Sequence, residues 1–283
     1  MNLQIGKMLG GIAGSLHLYN FFSKIGVEAF FYRRCYREQL ELSDEYYRNN
    51  EMRIAKNTEL FNDEYSKIVY KKAIQFRRTH YLRDRAPYCK EKEYFNSITP
   101  INDNEVLVDC GGFTGDSVIE FLNFSNKKYK KIISFEPDSL NYKKEKDNLS
   151  GIDNCIIYNS GVWNVDTQLR FEENNTAGSR VEMDIQNGVV INVVAIDNME
   201  ECREATFIKM DIEGSELMAL KGAYTTIIQN RPILTICIYH SDEDMLSIPE
   251  WMSENLQDYR FYCRHHSYYQ QETILYAVPN ERI

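Results

Sequence analysis

The sequence predicts an α/β protein in which a helical N-terminal extension precedes a doubly wound, mostly parallel β-sheet. From Val27 to Cys110 the chain contains no glycine, and apolar residues such as Val69 and Phe76 recur at helical spacing. After Pro100, short apolar runs alternate with helical segments, a pattern typical of a parallel sheet covered by helices on both faces.

Seven apolar runs bounded by turn residues predict the strands. They are Glu105–Cys110, Lys131–Glu136, Asn154–Asn159, Thr206–Asp211, Pro232–Tyr239, Tyr259–Arg264 and Glu272–Val278. We predict helices over 117–126, 138–149 and 214–228, and a fourth that begins at the capping box Ser247-Ile-Pro-Glu250. The last two runs follow each other without a helix, so one of them should run antiparallel at an edge of the sheet. Alternating segments at 168–171 and 189–196 predict an inserted hairpin.

Charge divides the 283-residue chain in nearly the same place as the glycine pattern. Residues 1–100 hold 17 Lys and Arg against 12 Asp and Glu, a net charge of +5, whereas the remainder carries −14. We therefore predict a helical region, 1–95, that sets acceptor or partner specificity. The sheet then occupies a domain over 96–283, with the inserted hairpin at about 167–196.

Composition excludes several classes of protein. With 27% charged, 43% hydrophobic and 13% aromatic residues, the chain is neither a membrane bundle nor disordered, and its net charge of −9 argues against a nucleic-acid partner. Its seven cysteines form no C-x-x-C pair, which predicts reduced thiols in a cytoplasmic protein. The apolar-leaning residues 1–31 contain too many polar residues for a transmembrane segment. Peripheral membrane contact through them and homo-oligomer formation stay open.

The residues just beyond each strand are the candidates for function, because open α/β sheets bind ligands at the carboxyl ends of their strands. After the first strand comes Asp109-Cys-Gly-Gly-Phe-Thr-Gly-Asp-Ser117, a turn whose glycines permit close approach of a ligand to the backbone. After the second come Glu136 and Pro137, and an acid at this position can accept both hydroxyls of a ribose. Asp109 would face a cationic part of the ligand or tie down the loop. Such an acidic loop suits the sulfonium of S-adenosylmethionine better than a pyrophosphate.

Charged residues also lie at the ends of the fourth and fifth predicted strands. Lys209, Asp211 and Glu213 lie together at the end of the fourth strand, and His240 follows the fifth. Buried charges are costly unless they are paired or used, and a histidine at the exit of a central strand is well placed for a general base.

Four blocks taken together resemble the FkbM-type S-adenosylmethionine-dependent methyltransferases, over roughly residues 93 to 279. They are Asp109-x-Gly-Gly-x-x-Gly-Asp116, Ser134-Phe-Glu-Pro137, Asn159-Ser-Gly-Val-Trp163 and Lys209-Met-Asp-Ile-Glu-Gly-Ser-Glu216. The resemblance implies a class I methyltransferase (Rossmann-like) sheet of seven strands with its last strand antiparallel. It also implies O-methylation of a hydroxyl on a carbohydrate (capsule, lipopolysaccharide or other glycan) or a natural product. Phe113 stands where the wider methyltransferase pattern has a glycine, which this family tolerates.

The resemblance assigns the cofactor site residue by residue. It places Asp109, Gly111 and Gly115 in the cofactor loop, Glu136 on the ribose, the stretch from Ser160 to Val162 near the adenine, and Asp211 at the fourth-strand acid. The full set predicted to bind S-adenosylmethionine, with S-adenosylhomocysteine as product, is Asp109, Gly111, Gly112, Thr114, Gly115, Asp116, Ser117, Glu136, Pro137, Ser160, Gly161, Val162 and Asp211.

For catalysis we hypothesise that His240 removes the hydroxyl proton and that Asp211 orients either His240 or the substrate. Lys209 and Glu213 would form a supporting pair. No metal is assigned, but a divalent cation held by Asp211 and Glu213 is an alternative. Two other functions stay open: a nicotinamide-dependent oxidoreductase acting on a sugar nucleotide, and a non-catalytic S-adenosylmethionine-binding or partner-docking protein. The partner is a small-molecule or glycan acceptor, whose identity the sequence leaves open.

Overall fold

A computed structural model describes residue 24 and residues 26–171 and 189–283 of the chain. Its helices are α1 (Val27–Cys35), α2 (Arg37–Asn49), α3 (Glu51–Glu59), α4 (Glu64–Thr79), α5 (Asp116–Phe124), α6 (Ser139–Asn148), α7 (Glu216–Gly222), α8 (Tyr224–Asn230) and α9 (Asp244–Asn255). Its strands are β1 (Val106–Cys110), β2 (Lys131–Phe135), β3 (Cys155–Tyr158), β4 (Gly161–Val162), β5 (Thr167–Phe171), β6 (Val189–Val194), β7 (Phe207–Met210), β8 (Ile233–Cys237), β9 (Tyr259–His265) and β10 (Thr273–Pro279).

The main sheet confirms the predicted α/β architecture. Its seven strands lie in the order β3-β2-β1-β7-β8-β10-β9, and β3, β2, β1, β7 and β8 pair in parallel. The last strand, β10, is antiparallel to both of its neighbours. This is the Rossmann-like methyltransferase sheet that the resemblance implied, with the N-terminal helices added.

The prediction of an antiparallel strand at the edge was wrong, because β10 lies inside the sheet and β9 forms the edge. All seven residues of β10 are buried, whereas β9 alternates between buried and more exposed positions. The sequences agree with this difference: Ile274-Leu-Tyr-Ala-Val278 is continuously apolar, while Arg260 and Arg264 interrupt β9.

A second, three-stranded sheet has the order β4-β6-β5. Strands β5 and β6 pair antiparallel, with Leu169 opposite Ile191, and β6 also pairs in parallel with β4, with Val193 opposite Gly161. The residues between β5 and β6 lie outside the described part of the chain. Because β4 follows directly after β3, this pairing places Ile191 and Val193 near the carboxyl end of β3.

Helix α9 begins three residues before the capping box that the sequence predicts, and Pro249 lies inside it. The Ser241 hydroxyl accepts the N–H of Asp244, the first residue of this helix, at 3.0 Å. A proline inside a helix leaves the carbonyl four residues before it without its usual donor. Here that carbonyl belongs to Met245, and it accepts the Tyr70 hydroxyl of α4 at 2.8 Å.

The single helix predicted over 214–228 is two helices, α7 and α8, which meet at Ala223. A side chain on Gly222 would overlap the carbonyl of Trp163, so this turn packs directly against the backbone that follows β4. The Asp197 carboxylate then accepts the Thr225 and Thr226 N–H groups at 2.9 and 2.8 Å and starts the second helix.

The N-terminal helices share one hydrophobic core with the sheet. Tyr47 of α2 and Val69 of α4 are fully buried in the cluster that contains Ile236 of β8. At the edge strand, the Cys263 N–H donates to the Ser66 hydroxyl of α4 at 2.9 Å, which covers β9. Among the described helices, none is long and apolar enough to cross a membrane. The hypothesis of membrane contact through residues 1–31 falls mostly on residues outside those described.

Candidate active site

A cleft of about 510 Å³ opens at the carboxyl ends of the parallel strands. Ten of the residues predicted from the sequence line it: Gly111, Asp116, Ser117, Glu136, Pro137, Gly161, Val162, Lys209, Asp211 and Glu213. The other six lie behind this lining: Asp109, Gly112, Thr114, Gly115, Ser160 and His240. The structure therefore brings the four sequence blocks to one place.

The order of the strands fixes the order of groups along the cleft. Val162 follows β3, Glu136 follows β2, Gly111 follows β1 and Asp211 follows β7. Neighbouring strands are about 4.8 Å apart, so Glu136 and Asp211, two strands apart, are separated by roughly 10 Å along the sheet. An apolar end made of Pro137, Leu140, Val162, Ile191 and Val193 thus lies on one side of Glu136, and charged groups lie on the other.

The loop after β1 is tight because its glycines have no side chains. Gly111 has a φ of +88°, and a Cβ at this position would overlap the Asp211 carbonyl oxygen. The Gly111 and Gly112 N–H groups both donate to the Phe135 carbonyl, at 2.9 and 3.0 Å. The loop therefore packs directly on β2 and β7 and leaves the cleft open above it.

Lys209 and Asp109 form a buried ion pair beneath this loop, with Nζ and Oδ1 3.0 Å apart and both side chains at most 3% exposed. The Lys209 ammonium also donates to the Gly111 carbonyl at 2.7 Å, and the Ser117 hydroxyl donates to Asp109. Burial disfavours the charge on Lys209, but Asp109 and Asp211 raise its pKa above the usual value. The expectation that Lys209 pairs with Glu213 was wrong. Of the two roles considered for Asp109, the structure shows the one that ties down the loop.

Glu136 is held at the tip of β2 with its carboxylate facing the cleft. Its two oxygens accept the Phe113 and Asp138 N–H groups, each at 2.8 Å, which leaves each oxygen with a further lone pair. Burial raises the pKa of Glu136 to about 7. Phe113 reaches this position with a φ of +50°, so the non-glycine residue of the loop is the one that orients the acid.

Beyond Asp211 the cleft has an acidic end, which we define as Glu93, Asp211, Glu213 and Glu272 with the phenols of Tyr94 and Tyr239. Asp211 accepts the Tyr94 hydroxyl at 2.8 Å and the Tyr239 hydroxyl at 3.3 Å. Burial opposes its charge, but His240 and Lys209 lower the pKa of Asp211 below the usual range.

Four residues of this end, Glu93, Tyr94, Tyr239 and Glu272, were not predicted from the sequence. Glu272 could have been predicted, because it directly precedes β10. Since β10 runs antiparallel to β8, the start of β10 must lie at the carboxyl ends of the parallel strands. Glu93 and Tyr94 lie on an irregular segment whose sequence carries no motif.

His240 is enclosed by carboxylates on both sides of its ring. Its Nδ1 lies 3.0 Å from Glu216, its Nε2 lies 3.3 Å from Asp211 and 3.6 Å from Glu213, and its side chain is 5% exposed. Burial disfavours the imidazolium, but Glu216 and Asp211 raise the pKa of His240 well above its usual value. These two carboxylates therefore favour the protonated ring. This geometry argues against the hypothesis that His240 removes the hydroxyl proton.

The described residues offer one candidate set of metal ligands, in which atoms of Asp211, Glu216 and His240 lie within 4.8 Å of one another. The Glu216 oxygens already accept the Ile212 and Gly214 N–H groups, at 2.8 and 3.0 Å. The set contains Asp211 but not Glu213, so it gives no support to a cation held by those two acids.

A family model, described as the methyltransferase FkbM domain, matches residues 109–261. The chain belongs to the FkbM methyltransferase family. The matched range contains Asp109, Glu136 and Asp211, so the sequence resemblance is confirmed. Helices α1–α4, Glu93 and Glu272 of this FkbM methyltransferase lie outside that range.

The chain is similar to several solved structures. A methyltransferase FkbM from Methylobacillus flagellatus KT is 26% identical, with a TM-score of 0.67, over 81% of this chain and 59% of that one. This FkbM methyltransferase thus spans less than two thirds of that relative's length. An rRNA methylase from Streptococcus thermophilus is 15% identical with a TM-score of 0.41, over 63% of this chain and 87% of that one. A precorrin-6y C5,15-methyltransferase from Geobacter metallireducens GS-15 is 11% identical with a TM-score of 0.40, over 63% and 82%. Among curated proteins, none matches the chain.

Proposed function

We propose that this protein transfers the methyl group of S-adenosylmethionine to a hydroxyl of a carbohydrate or a natural product. The observation that carries the proposal is the order of groups along the cleft. An apolar end, a carboxylate at the tip of β2 and an acidic end follow one another, as a purine, a ribose and a sulfonium do in the cofactor.

Each part of the cofactor has a chemical counterpart in this chain. Pro137, Leu140 and Ile191 give an apolar surface for a purine. The free lone pairs of Glu136 can accept the ribose hydroxyls. Carboxylates beyond Gly111 compensate the sulfonium charge. When bound, the cofactor supplies an activated methyl group, and the protein contributes alignment of the acceptor and removal of its proton.

The same charges disfavour a nicotinamide dinucleotide. Its pyrophosphate would bind at the start of α5, where the Asp116 carboxylate lines the cleft. The negative charges of the pyrophosphate and Asp116 would repel each other. In the described structure, the nearby Lys209 is already paired with Asp109.

Cofactor affinity should fall as the pH falls through about 7, because Glu136 has its pKa raised to about 7 and only its carboxylate accepts two ribose hydroxyls. The carboxylate predominates above that pH, so affinity is gained as the pH rises. Between pH 8 and pH 6 we expect the dissociation constant of S-adenosylhomocysteine to increase by about tenfold. Calorimetric titration at both values measures this effect. The Glu136→Gln variant should bind weakly and with little pH dependence, and a wild-type affinity independent of pH would contradict the assignment.

The proposed reaction is tested with methyl-labelled S-adenosylmethionine and a panel of glycans and hydroxylated natural products. We expect label in an alkali-stable methyl ether, at a rate that a chelator leaves unchanged. Label that alkali releases would indicate a methyl ester and contradict O-methylation of a hydroxyl. Absence of label in every member of the panel would favour the non-catalytic alternative.

The seven free cysteines fit the cytoplasmic location that we also propose.

A further inference from the structure

The acidic end of the cleft lies where an acceptor must meet the cofactor's methyl group, if the proposed function is correct. Glu272 precedes β10, two strands beyond Asp211 in the order β7-β8-β10. Tyr239, which follows β8, connects the two acids: its hydroxyl lies 3.3 Å from Asp211 and 3.5 Å from Glu272. Glu93 also lines this space.

Three of the other candidate bases at this end, His240, Asp211 and Glu213, already have close partners. The ring of His240 lies between Glu216 and Asp211, which favour its protonated form. Asp211 accepts Tyr94 and Tyr239 and lies beside His240, so it already has three close partners. Glu213 also lies beside the His240 ring, at 3.6 Å. Glu272, by contrast, lines the cleft, and within the described part of the chain its carboxylate has only the long contact with Tyr239.

We propose that Glu272 is the general base of this methyltransferase, and that the acidic end binds a neutral or cationic hydroxyl-bearing acceptor between Asp211 and Glu272. This inference rests on the proposed function. In the transfer, the acceptor oxygen forms a bond to the methyl carbon. The carbon–sulfur bond breaks with its electron pair going to sulfur, and the hydroxyl proton goes to the Glu272 carboxylate.

Glu272 must be ionised when the acceptor reacts, and the charges around it make that state depend on the cofactor. Burial, Asp211 and Glu93 raise the pKa of Glu272, while His240 partly opposes them and Glu213 adds to the increase. Burial and Asp211 likewise raise the pKa of Glu93. Before the cofactor binds, these shifts favour retention of a proton at the acidic end. A sulfonium brought beside these acids favours their ionised forms and releases that proton.

The charge balance also defines the acceptor. The positive charge that sulfur loses during transfer is replaced by the proton that Glu272 gains, so the net charge of the cleft is unchanged. The ammonium of Lys209 and the imidazolium of His240 are both paired with carboxylates. Among the described residues, the acidic end offers no further cation to a phosphorylated or carboxylated acceptor, since the other lysine of the cleft, Lys144, lies on α6 with Leu140 of the apolar end. A neutral sugar or an amino sugar would find several carboxylate acceptors for its hydroxyl or ammonium groups.

The test counts protons exchanged on cofactor binding, by calorimetry near pH 7.5 in two buffers of different ionisation enthalpy. S-adenosylmethionine should release roughly half a proton more than S-adenosylhomocysteine, whose sulfur is neutral. In Glu272→Gln this difference should fall by at least half, while the affinity for S-adenosylmethionine changes by less than about fivefold.

Glu145→Gln is the matched control. Burial raises the pKa of Glu145 to about 8. Its carboxylate accepts the hydroxyl of Ser134 in β2, and Glu145 is not among the residues that line the cleft. This variant should keep the wild-type difference between the two ligands. If Glu272→Gln also keeps that difference, Glu272 is not the charge-coupled base and the inference is overturned. If wild-type protein does not bind S-adenosylmethionine at all, the proposed function fails, and this inference fails with it.

Discussion

Replacing Asp109 with asparagine is expected to lower the free energy of unfolding by about 3–5 kcal/mol. The substitution removes the carboxylate that lies 3.0 Å from the Lys209 ammonium, and that ammonium is 3% exposed. A buried charge that loses its partner keeps its desolvation cost without the compensating attraction. Denaturation by urea, followed by circular dichroism, measures the loss.

A matched ion pair at the surface provides the control. Lys130 and Glu204 lie 2.7 Å apart with side chains 48% and 63% exposed, so Lys130→Gln should leave the urea midpoint nearly unchanged. The double variant Asp109→Asn, Lys209→Met should recover part of the stability, because it removes the buried charge. An Asp109→Asn protein as stable as the wild type would show that the pair does not hold the cofactor loop.

Replacing Gly111 with alanine is expected to weaken binding of S-adenosylmethionine by at least about a hundredfold. The position combines a φ of +88° with a Cβ that would overlap the Asp211 carbonyl. Strain in the left-handed region costs about 1–2 kcal/mol by itself. To remove the overlap, the loop must also move away from β7 into the cleft. Titration calorimetry measures the affinity, and thermal unfolding measures the stability.

Gly151→Ala separates backbone strain from displacement of the loop. Gly151 has nearly the same φ, +86°, but nothing lies within 4 Å of a Cβ built there. This variant should therefore lose stability and retain its affinity for the cofactor. Equal effects of the two substitutions on affinity would contradict the role assigned to the Gly111 loop.

The cofactor half of the site was predictable because its signals are local. Gly111, Glu136 and Asp211 each follow directly after an apolar run, and the carboxyl ends of parallel strands must meet at one edge of the sheet. The chemistry of each residue and its place in the chain were therefore enough to assemble this part of the cleft.

The acceptor half depends on contacts between distant parts of the chain. Lys209 pairs with Asp109, a hundred residues earlier, and the sequence gives no reason to prefer that acid over Glu213. The protonation of His240 depends on Glu216, the first residue of α7, and on Asp211, which follows the neighbouring strand β7. Burial and neighbouring charge decide what such groups can do, and neither is visible from a motif.

Secondary structure shows the same division between local and distant causes. The start of α9 was misplaced because a capping box at Ser247 is a plausible local signal, whereas Pro249 is tolerated only through the hydroxyl of Tyr70 on another helix. The position of β10 inside the sheet was likewise set by pairing with β8 and β9.

Titration of the purified protein with S-adenosylmethionine, S-adenosylhomocysteine and NADH tests the central claim most directly. We expect the first two ligands to bind at one site per chain. We also expect Glu136→Gln to weaken both by about tenfold or more, and NADH to show no binding. Binding of NADH in place of the sulfonium ligand, or wild-type affinity in Glu136→Gln, would contradict the account of this cleft.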